Sequence, residues 1–537
     1  MVIICKIISK FAIISLLLFI MINQIRIQNL RSINDSGFIR LAPIMILLGA
    51  NSSGKSSFLR SFPLFTQSVD KRLRGPISWF DSSLVDFGDY KTAINKYVTE
   101  DEGISFSYGF SVGYRVIHRT IRSYRFDYID QTELSDGNVS FTLKGDSRGT
   151  FVSDIYIQTK NATYKLSAKD RNSSISFELN DELFEFPEKF RFNFDTGFGI
   201  LPSIESTKST GNKVNAQEEV FRKLISLLKK HSNKRLQNIT RFSTIFHHGN
   251  LNKNDFLTEL KQGVDLKSFQ KNIKYWNINT QEFKLIYNYF LIFKLNSIID
   301  IINNEIATFY HNCDYIAPMR AEAGRYYRIQ GLQVQSVDPS GRNLLEFIAS
   351  LTPKEKNNFD EFVSDILGVT VDAPSESGLK SLRIKNDKGD FSIADVGYGY
   401  SQILPVITKL WHTKYNAINY SYGHRLSSNE VSILLMEQPE LHLHPAMQAK
   451  IADTFIKVIN ETRKEQQLVS LIIETHSQAI INRIGRRIRE KKMQPTDINI
   501  LLFQKDEAQQ NTIINQICYT DKGQLENWPY GFFDPKD

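Results

Sequence analysis

Cysteine is scarce in this sequence, since Cys5, Cys313 and Cys518 are the only three among 537 residues. Three widely spaced thiols offer neither the spacing of a zinc site nor a disulfide framework, which favours a reducing cytoplasm. An excess of charge of one sign is also missing, because 66 basic residues face 58 acidic ones and the formal net charge is only +8. That balance permits a nucleic acid or an acidic partner without requiring either.

The N-terminus lacks a hydrophobic run of membrane-spanning length. Residues 11–22 are apolar apart from Ser15, but a membrane helix needs roughly 18 residues or more. No small-residue cleavage site follows, and residues 22–30 already alternate as an edge strand does. We therefore expect translation to start at Met21, with residues 1–20 an over-extended reading frame. A weak membrane tether is the alternative, and no stable membrane partner is expected.

A complete phosphate loop is present at Gly49-Ala-Asn-Ser-Ser-Gly54-Lys55-Ser56, after an apolar strand and before a helical pattern. Its two glycines permit turns that a side chain would block, so that backbone amides can point at phosphates. Lys55 is predicted to reach the β- and γ-phosphate oxygens, and Ser56 to place its hydroxyl on Mg²⁺. The residues expected to bind ATP here are Gly49, Asn51, Ser52, Ser53, Gly54, Lys55, Ser56 and Ser57.

A second apolar strand, residues 432–436, carries Glu437 to its end, and this carboxylate is predicted to order the magnesium shell. In ATPases of the ABC type the next residue is a glutamate that polarises the attacking water, and the following Pro-Glu pair places Gln438 there. An amide can hold a water but cannot accept its proton, so we expect slow hydrolysis and a persistent ATP-bound state. Glu440 or His444 is the alternative base.

Two further segments are expected to complete the nucleotide site. His476 follows an apolar strand in Ile-Glu-Thr-His-Ser, which fits a switch histidine on the γ-phosphate, although a core or capping histidine is the alternative. The segment Asp395-Val-Gly-Tyr-Gly-Tyr-Ser-Gln402 opens an apolar helix whose N-terminus can bind an anion. In ATPases of this class such a segment completes the opposite protomer's site. ATP binding across a dimer is therefore expected of Gly397, Gly399, Ser401 and Gln402.

The hydrophobic periodicity divides the chain into an α/β ATPase head with two insertions. Alternating aromatic residues, such as Phe106, Tyr108 and Phe110 and then Tyr124, Phe126 and Tyr128, predict an antiparallel meander. The expected segments are an N-lobe at 21–103, a β-rich subdomain at 104–195, a linker with a helical insertion at 196–311, a C-lobe at 312–505 and a C-terminal module at 506–537.

Taken together, the motifs resemble those of ABC-type AAA ATPases of the RecF/SMC-like kind, and more narrowly a bacterial group with a short C-terminal module of unknown function. The resemblance implies an ABC-type P-loop ATPase head with a mixed sheet, ATP and Mg²⁺ as cofactors, and homo-oligomers built from ATP-sandwich dimers. The group's own pattern also has Gln after the first acid. The segments that carry the resemblance are Glu437-Gln-Pro-Glu-Leu-His-Leu-His-Pro445, residues 395–402, Tyr315-Ile-Ala-Pro-Met-Arg320 and Trp528-Pro-Tyr-Gly-Phe-Phe-Asp534.

Within that group the chain looks most like the ATPase of Septu-type anti-phage systems, including those attached to retrons. Such ATPases are encoded beside an HNH endonuclease, and retron versions also involve a reverse transcriptase with RNA-linked DNA. Relatives of the OLD family append a nuclease after the switch histidine, but residues 477–537 contain no Asp-x-Asp pair. The resemblance therefore implies a cytoplasmic defence ATPase that regulates a separate nuclease. A DNA repair or chromosome-maintenance ATPase acting directly on DNA is the alternative.

A strongly basic helix is predicted around residues 483–492, where four arginines and two lysines are concentrated. Such a run is usually a solvated face, and contact with nucleic acid or an acidic partner is the alternative.

Overall fold

The structure is a computed structural model that describes residues 15–528 with internal gaps. The gaps are residues 70, 72, 74, 100, 118–130, 186–188, 195–198, 208–212, 233–239, 264–266, 323, 329–333, 377, 397, 420–430 and 507–510. The side chains of residues 15–20, 112–117, 131–132, 207, 213–215, 240–241, 244, 248, 376, 398 and 419 are also left undescribed.

Twenty-four strands are present in the described residues. In chain order they are β1 (Ser15–Leu30), β2 (Ile33–Asp35), β3 (Ile39–Arg40), β4 (Ile44–Gly49), β5 (Ile104–Ile117), β6 (Asn138–Asp146), β7 (Gly149–Gln158), β8 (Thr163–Ser167), β9 (Ser176–Leu179), β10 (Glu182–Phe184), β11 (Phe190–Asn193), β12 (Ser203–Thr207), β13 (Lys213–Asn215), β14 (Cys313–Ile316), β15 (Tyr327–Arg328), β16 (Thr370–Asp372), β17 (Ser375–Glu376), β18 (Leu379–Lys380), β19 (Arg383–Asn386), β20 (Gly389–Ser392), β21 (Ser432–Glu437), β22 (Val469–Glu474), β23 (Ile498–Lys505) and β24 (Thr512–Ile517).

Twelve α-helices are described as well. They are α1 (Lys55–Val69), α2 (Tyr90–Ala93), α3 (Ala216–Lys230), α4 (Thr240–His248), α5 (Lys253–Gly263), α6 (Lys267–Ile273), α7 (Gln281–His311), α8 (Leu344–Ser350), α9 (Pro353–Leu367), α10 (Tyr398–Asn419), α11 (Pro445–Lys464) and α12 (Gln478–Arg489).

The chain forms two compact units. The first contains residues up to Leu30, Ser68–Ser78 and Gly88–Thr308. Its main sheet is an antiparallel meander in the order β10-β9-β8-β7-β6-β5-β1, beside a small sheet β11-β12-β13. Strand β6 alternates buried and half-buried residues from Asn138 to Lys144, so one face of this meander packs into a core.

Helices α3 to α6 and most of α7 also belong to this first unit. Aromatic residues fill the space between them, and the rings of Phe256 and Phe290 stack with centroids 4.0 Å apart. Among the described helices, α7 is the one long and apolar enough to cross a membrane, and 67% of its most apolar window is buried inside the protein. Burial of this kind is also found in the core helix of a protein without membrane spans.

The second unit contains Arg31–Gln67, Trp79–Phe87 and the residues from Phe309 onward. Its main sheet has the order β2-β24-β23-β4-β22-β21-β14, and β23, β4, β22, β21 and β14 run parallel to one another. Each of the strands β4, β21 and β22 has six residues, and all of them are buried, as expected of parallel strands covered on both faces. Because the carboxyl ends of these strands meet at one sheet edge, the residues that follow them converge there.

The α/β class predicted from the sequence is confirmed, with a mixed sheet, an antiparallel sheet and a helical insertion. The strand expected at 22–30 is longer than predicted, since β1 begins at Ser15, and the apolar helix expected to open at residues 395–402 begins at Tyr398. Residues 1–14 and the predicted alternation of Tyr124, Phe126 and Tyr128 lie outside the described residues. Translation from Met21 stays a prediction.

The basic run predicted at 483–492 is largely paired within the chain. Arg483 and Arg487 of α12 both donate to the carboxylate of Asp453 on α11, with shortest contacts of 2.6 Å each. Arg486 and Arg487 also pair with Glu490 at the end of the helix. These contacts fasten α12 to α11, which favours the structural interpretation of the run over a free nucleic-acid surface.

The Asp453 pair should make stability depend on pH. Burial would raise the pKa of Asp453, but hydrogen bonds from Arg487 and Arg483 outweigh it and lower that pKa to about 2, from an ordinary 3.8. The folded pKa lies below the unfolded one, so the stabilisation is present above about pH 4 and lost as the pH falls toward 2. We expect Asp453→Asn to cost about 1–2 kcal/mol at pH 7, and the difference from wild type to shrink as the pH falls from about 4 toward 2.

Urea unfolding followed by circular dichroism across this pH range measures the difference. Asp365→Asn is the matched control, because it breaks an exposed pair with Lys457 and should change stability by less than about 0.5 kcal/mol. A destabilisation by Asp453→Asn that stays constant from pH 7 to pH 2 would contradict the assignment.

Candidate functional site

The phosphate loop connects β4 to α1 and can be formed only with glycine at its two key positions. Gly49 and Gly54 have φ angles of +153° and +100°, a region that disfavours side chains. A Cβ at Gly49 would lie 2.4 Å from the carbonyl oxygen of Phe503, and one at Gly54 would lie 2.7 Å from Oγ1 of Thr512. Strands β23 and β24 therefore wall the loop, and Thr512 Oγ1 also donates to the Ser53 carbonyl at 2.8 Å.

The loop's lysine and serine stand at the start of α1. Lys55 is buried, and its Nζ donates to the carbonyls of Gly49 and Ala50 at 3.0 and 2.8 Å. Burial lowers the pKa of Lys55, and the nearby charge of Glu474 partly opposes that effect. The Oγ of Ser56 donates to Oε1 of Glu474 at 3.0 Å. Lys55, the predicted phosphate ligand, and Ser56, the predicted metal ligand, therefore both lie beside Glu474 at the end of β22.

Two carboxylates lie side by side at the ends of neighbouring strands. Glu437 of β21 and Glu474 of β22 are direct register partners in the parallel ladder, and both are at least 96% buried. Burial, followed by the charge of Glu437, raises the pKa of Glu474. Two adjacent buried carboxylates can both stay ionised only if positive charge or hydrogen-bond donors compensate them.

Both oxygens of the Glu437 carboxylate accept hydrogen bonds from two neighbouring side chains. Arg60 of α1 grips it with Nε on Oε1 and Nη2 on Oε2, both at 2.7 Å, and the Tyr315 hydroxyl donates to Oε1 at 2.7 Å. The hydrogen bond to Glu437 raises the pKa of Arg60 despite burial. This paired, two-point contact is the strongest geometry for a guanidinium and a carboxylate.

The turn after β21 is held in a left-handed conformation. Gln438 has a φ angle of +45°, and its N–H donates to the Glu474 carbonyl at 2.8 Å. Arg320 Nη2 donates to the carbonyls of Glu437 and Gln438, each at 3.1 Å. Burial lowers the pKa of Arg320 to about 10, with the charge of Glu440 opposing it, so the guanidinium stays charged at neutral pH. Arg320 therefore fixes where Gln438 sits.

The switch histidine and the alternative base are in contact. The backbone N–H of His476 donates to Oε1 of Glu440 at 2.8 Å, whereas Oε2 of this buried carboxylate has no hydrogen-bond partner. Burial raises the pKa of Glu440. Burial, and then the charge of Lys55, lowers the pKa of His476, which keeps its imidazole neutral at pH 7. His444 instead caps α11, with its Nδ1 accepting from the Ala446 N–H at 3.3 Å.

The predicted signature segment lies at the start of α10. Gly397 is outside the described residues, and Ser401 and Gln402 are buried in the first turns of the helix. Nε2 of Gln402 has no hydrogen-bond partner. A Cβ at Gly399 would meet Leu443 at 3.9 Å, which places the segment beside the turn that follows Glu440. Its contribution to the ATP site of a second copy stays a prediction.

The structure brings Lys55, Ser56, Glu437, Gln438, Glu440 and His476 to one edge of the second unit's sheet. Of the other predicted loop residues, Asn51 and Ser52 are exposed, Ser53 is buried and Ser57 is half-buried. The roles of these residues and the metal assignment to Ser56 and Glu437 stay predictions. Within the described residues there is no group of three or more His, Cys, Asp or Glu that could hold a metal ion.

Sequence reasoning missed the contacts that Arg60, Tyr315, Arg320, Thr512 and Glu474 make at the site. No local sequence motif predicts that Arg60 contacts Glu437 or that Thr512 contacts the phosphate loop. Glu474 did have a signal, because it ends an apolar strand just as Glu437 does. The partner of each acid depends on neighbouring elements, which the strand pattern does not encode.

Comparison with known proteins gives a family for most of the chain. A family model described as an AAA ATPase domain matches residues 21–481. A second, described as a protein of unknown function (DUF3696), matches residues 493–537. A search of curated proteins finds no match.

Among solved structures the chain is similar to SMC head domains. The head domain with an extended coiled coil bound to the C-terminal domain of ScpA, from Pyrococcus furiosus, is 11% identical with a TM-score of 0.32, covering 93% of this chain and 97% of that one. The SMC head domain from Thermotoga maritima is 7% identical with a TM-score of 0.32, covering 92% and 98%. At TM-scores this low, the similarity to SMC heads supports no conclusion about fold or function. The AAA ATPase domain model matches residues 21–481, and this match shows that the chain belongs to the AAA ATPase domain family.

Proposed function

We propose that the protein is an ABC-type ATPase of the cytoplasm that binds ATP with Mg²⁺, hydrolyses it slowly, and pairs with a second copy across the bound nucleotide. The observation that carries this proposal is the convergence of the glycine-shaped loop, Lys55, Ser56 and two strand-end carboxylates at one sheet edge. Mg²⁺ would neutralise phosphate charge there. Ser56 and the carboxylates are oxygen donors of the kind that this cation prefers.

The phosphates are bound by groups that the chain already holds in place. The backbone amides of the loop and the N-terminus of α1 present positive dipole to an anion. The Nζ of Lys55 now donates to two loop carbonyls, and it would exchange these for phosphate oxygens. The neutral imidazole of His476, at the end of β22, can donate one hydrogen bond toward a γ-phosphate.

Slow hydrolysis follows from the residue after Glu437. Gln438 is held in its turn by its own N–H and by Arg320, so an amide occupies the place where a general base is expected. Such an amide orients water without removing its proton. Glu440 retains one open carboxylate oxygen and a raised pKa, which makes it the reserve base.

Replacement of the amide by a carboxylate tests this account. We expect Gln438→Glu to raise the single-turnover rate of ATP hydrolysis by about 10²-fold or more, because a positioned general base contributes that much. The readout is phosphate release from enzyme in excess over ATP. Gln466→Glu adds the same charge on an exposed turn and should leave the rate unchanged. A Gln438→Glu variant no faster than the parent would remove Gln438 as the cause of slow turnover.

At the level of the cell we propose an anti-phage defence ATPase of the Septu or retron type. In this proposal the ATP-bound assembly restrains a separate HNH endonuclease, and a reverse transcriptase with RNA-linked DNA takes part in retron versions. The support is the overall similarity of the sequence to Septu-type ATPases, together with Gln438, an amide that Arg320 holds where a general base is expected.

Purification of the tagged chain from cells that also express its neighbouring genes tests the partner. We expect an HNH nuclease to co-purify and its activity on DNA to rise when apyrase removes ATP. Lys55→Ala should abolish that response, since the nuclease would be unrestrained at every ATP concentration. If no nuclease co-purifies and the chain alone binds duplex ends, the alternative of a repair or chromosome-maintenance ATPase is correct instead.

A further inference from the structure

We propose that Glu474, and not the strand-end acid Glu437, is the carboxylate that holds Mg²⁺ beside Ser56 when ATP is bound. This inference rests on the proposed ATP binding and goes beyond it by assigning the metal to a different strand. The carboxylate oxygens of the two acids differ, because those of Glu437 already accept hydrogen bonds and one of those of Glu474 does not.

Both carboxylate oxygens of Glu437 already accept hydrogen bonds from neighbouring side chains. Arg60 donates to both of its carboxylate oxygens and the Tyr315 hydroxyl donates to one of them, all at 2.7 Å. Its exposed fraction is 2%, so a departing carboxylate would leave the Arg60 guanidinium and the Tyr315 hydroxyl without this partner. Breaking this pair is costly chiefly for the buried Tyr315 hydroxyl and the buried carboxylate, because the Arg60 side chain is 34% exposed and can still be hydrated.

The carboxylate of Glu474, in contrast, has one oxygen without a hydrogen-bond partner. Its Oε1 accepts the Ser56 hydroxyl at 3.0 Å, and its Oε2 is buried without any hydrogen-bond partner. The Nζ of Lys55 lies 3.9 Å from Oε1, too far for a hydrogen bond, and already donates to two loop carbonyls. An open carboxylate oxygen on a residue that is 96% buried, beside the hydroxyl predicted to bind the metal, points to a cation as its partner.

The charge balance agrees with this assignment. Two carboxylates lie in register on β21 and β22; Arg60 pairs with Glu437, and the ammonium of Lys55 lies 3.9 Å from Oε1 of Glu474. When Lys55 turns to the phosphate oxygens, a divalent cation at Glu474 would replace the positive charge that leaves this carboxylate. The two donors, Ser56 at the start of α1 and Glu474 at the end of β22, are both carried by regular elements, which keeps their spacing fixed.

Matched variants of the full-length protein distinguish the two acids. Glu474→Gln and Glu437→Gln make the same chemical change on adjacent strands. Binding of a fluorescent mant-ATP is measured in EDTA and in excess Mg²⁺, and bound Mn²⁺ is counted by EPR with ATP present. For wild type we expect Mg²⁺ to tighten nucleotide binding.

Glu474→Gln should lose Mn²⁺ affinity by about 10-fold or more and lose the tightening by Mg²⁺, while keeping its affinity in EDTA. Glu437→Gln should keep most of the metal effect. Loss of the metal effect in Glu437→Gln alone, or to the same extent in both variants, would overturn the proposal. If wild type binds no mant-ATP in either condition, the proposed function itself fails, which is a separate result.

Thermal unfolding without nucleotide controls for misfolding. Glu474→Gln removes one of two adjacent buried carboxylates, so its unfolding temperature should equal or exceed that of wild type. Should this variant fail to fold, Glu474→Asp gives the same test, because it withdraws the carboxylate by one methylene. It should weaken Mn²⁺ binding without weakening nucleotide binding in EDTA, and unchanged Mn²⁺ affinity would overturn the proposal.

Discussion

The nucleotide site depends on one constraint, which is the placement of two buried carboxylates in register on adjacent parallel strands. Glu437 and Glu474 end β21 and β22 at the same level, so each needs a partner of opposite charge or a set of donors. Helix α1 supplies both, with Arg60 for the first acid and Ser56 for the second. The helix that begins at the phosphate loop therefore also donates hydrogen bonds to both acids beside it.

The C-terminal strands contribute to this arrangement. Phe503 of β23 and Thr512 of β24 approach the loop so closely that Gly49 and Gly54 cannot carry a side chain. Both strands lie in the segment that matches a family of unknown function. We conclude that β23 and β24, within this segment, form a wall of the phosphate loop.

The sequence predicts the backbone of the site well, because loop, strand and helix signals are local. The phosphate loop and the apolar strands before Glu437 and His476 are all found in the described structure. The partners of Glu437 could not be predicted from the sequence. Arg60 and Tyr315 reach this acid only because α1 packs on the sheet and β14 pairs with β21 within it. The capping role of His444 likewise needed coordinates, because Leu-His-Leu-His fits several loop geometries.

A crystal structure of the full chain with a non-hydrolysable ATP analogue and Mn²⁺, located by its anomalous scattering, tests the central claim most directly. The account predicts a manganese peak beside the Ser56 hydroxyl and the Glu474 carboxylate, with the Arg60–Glu437 pair intact. A peak at Glu437 with Arg60 displaced, and Glu474 still without a metal partner, would contradict it.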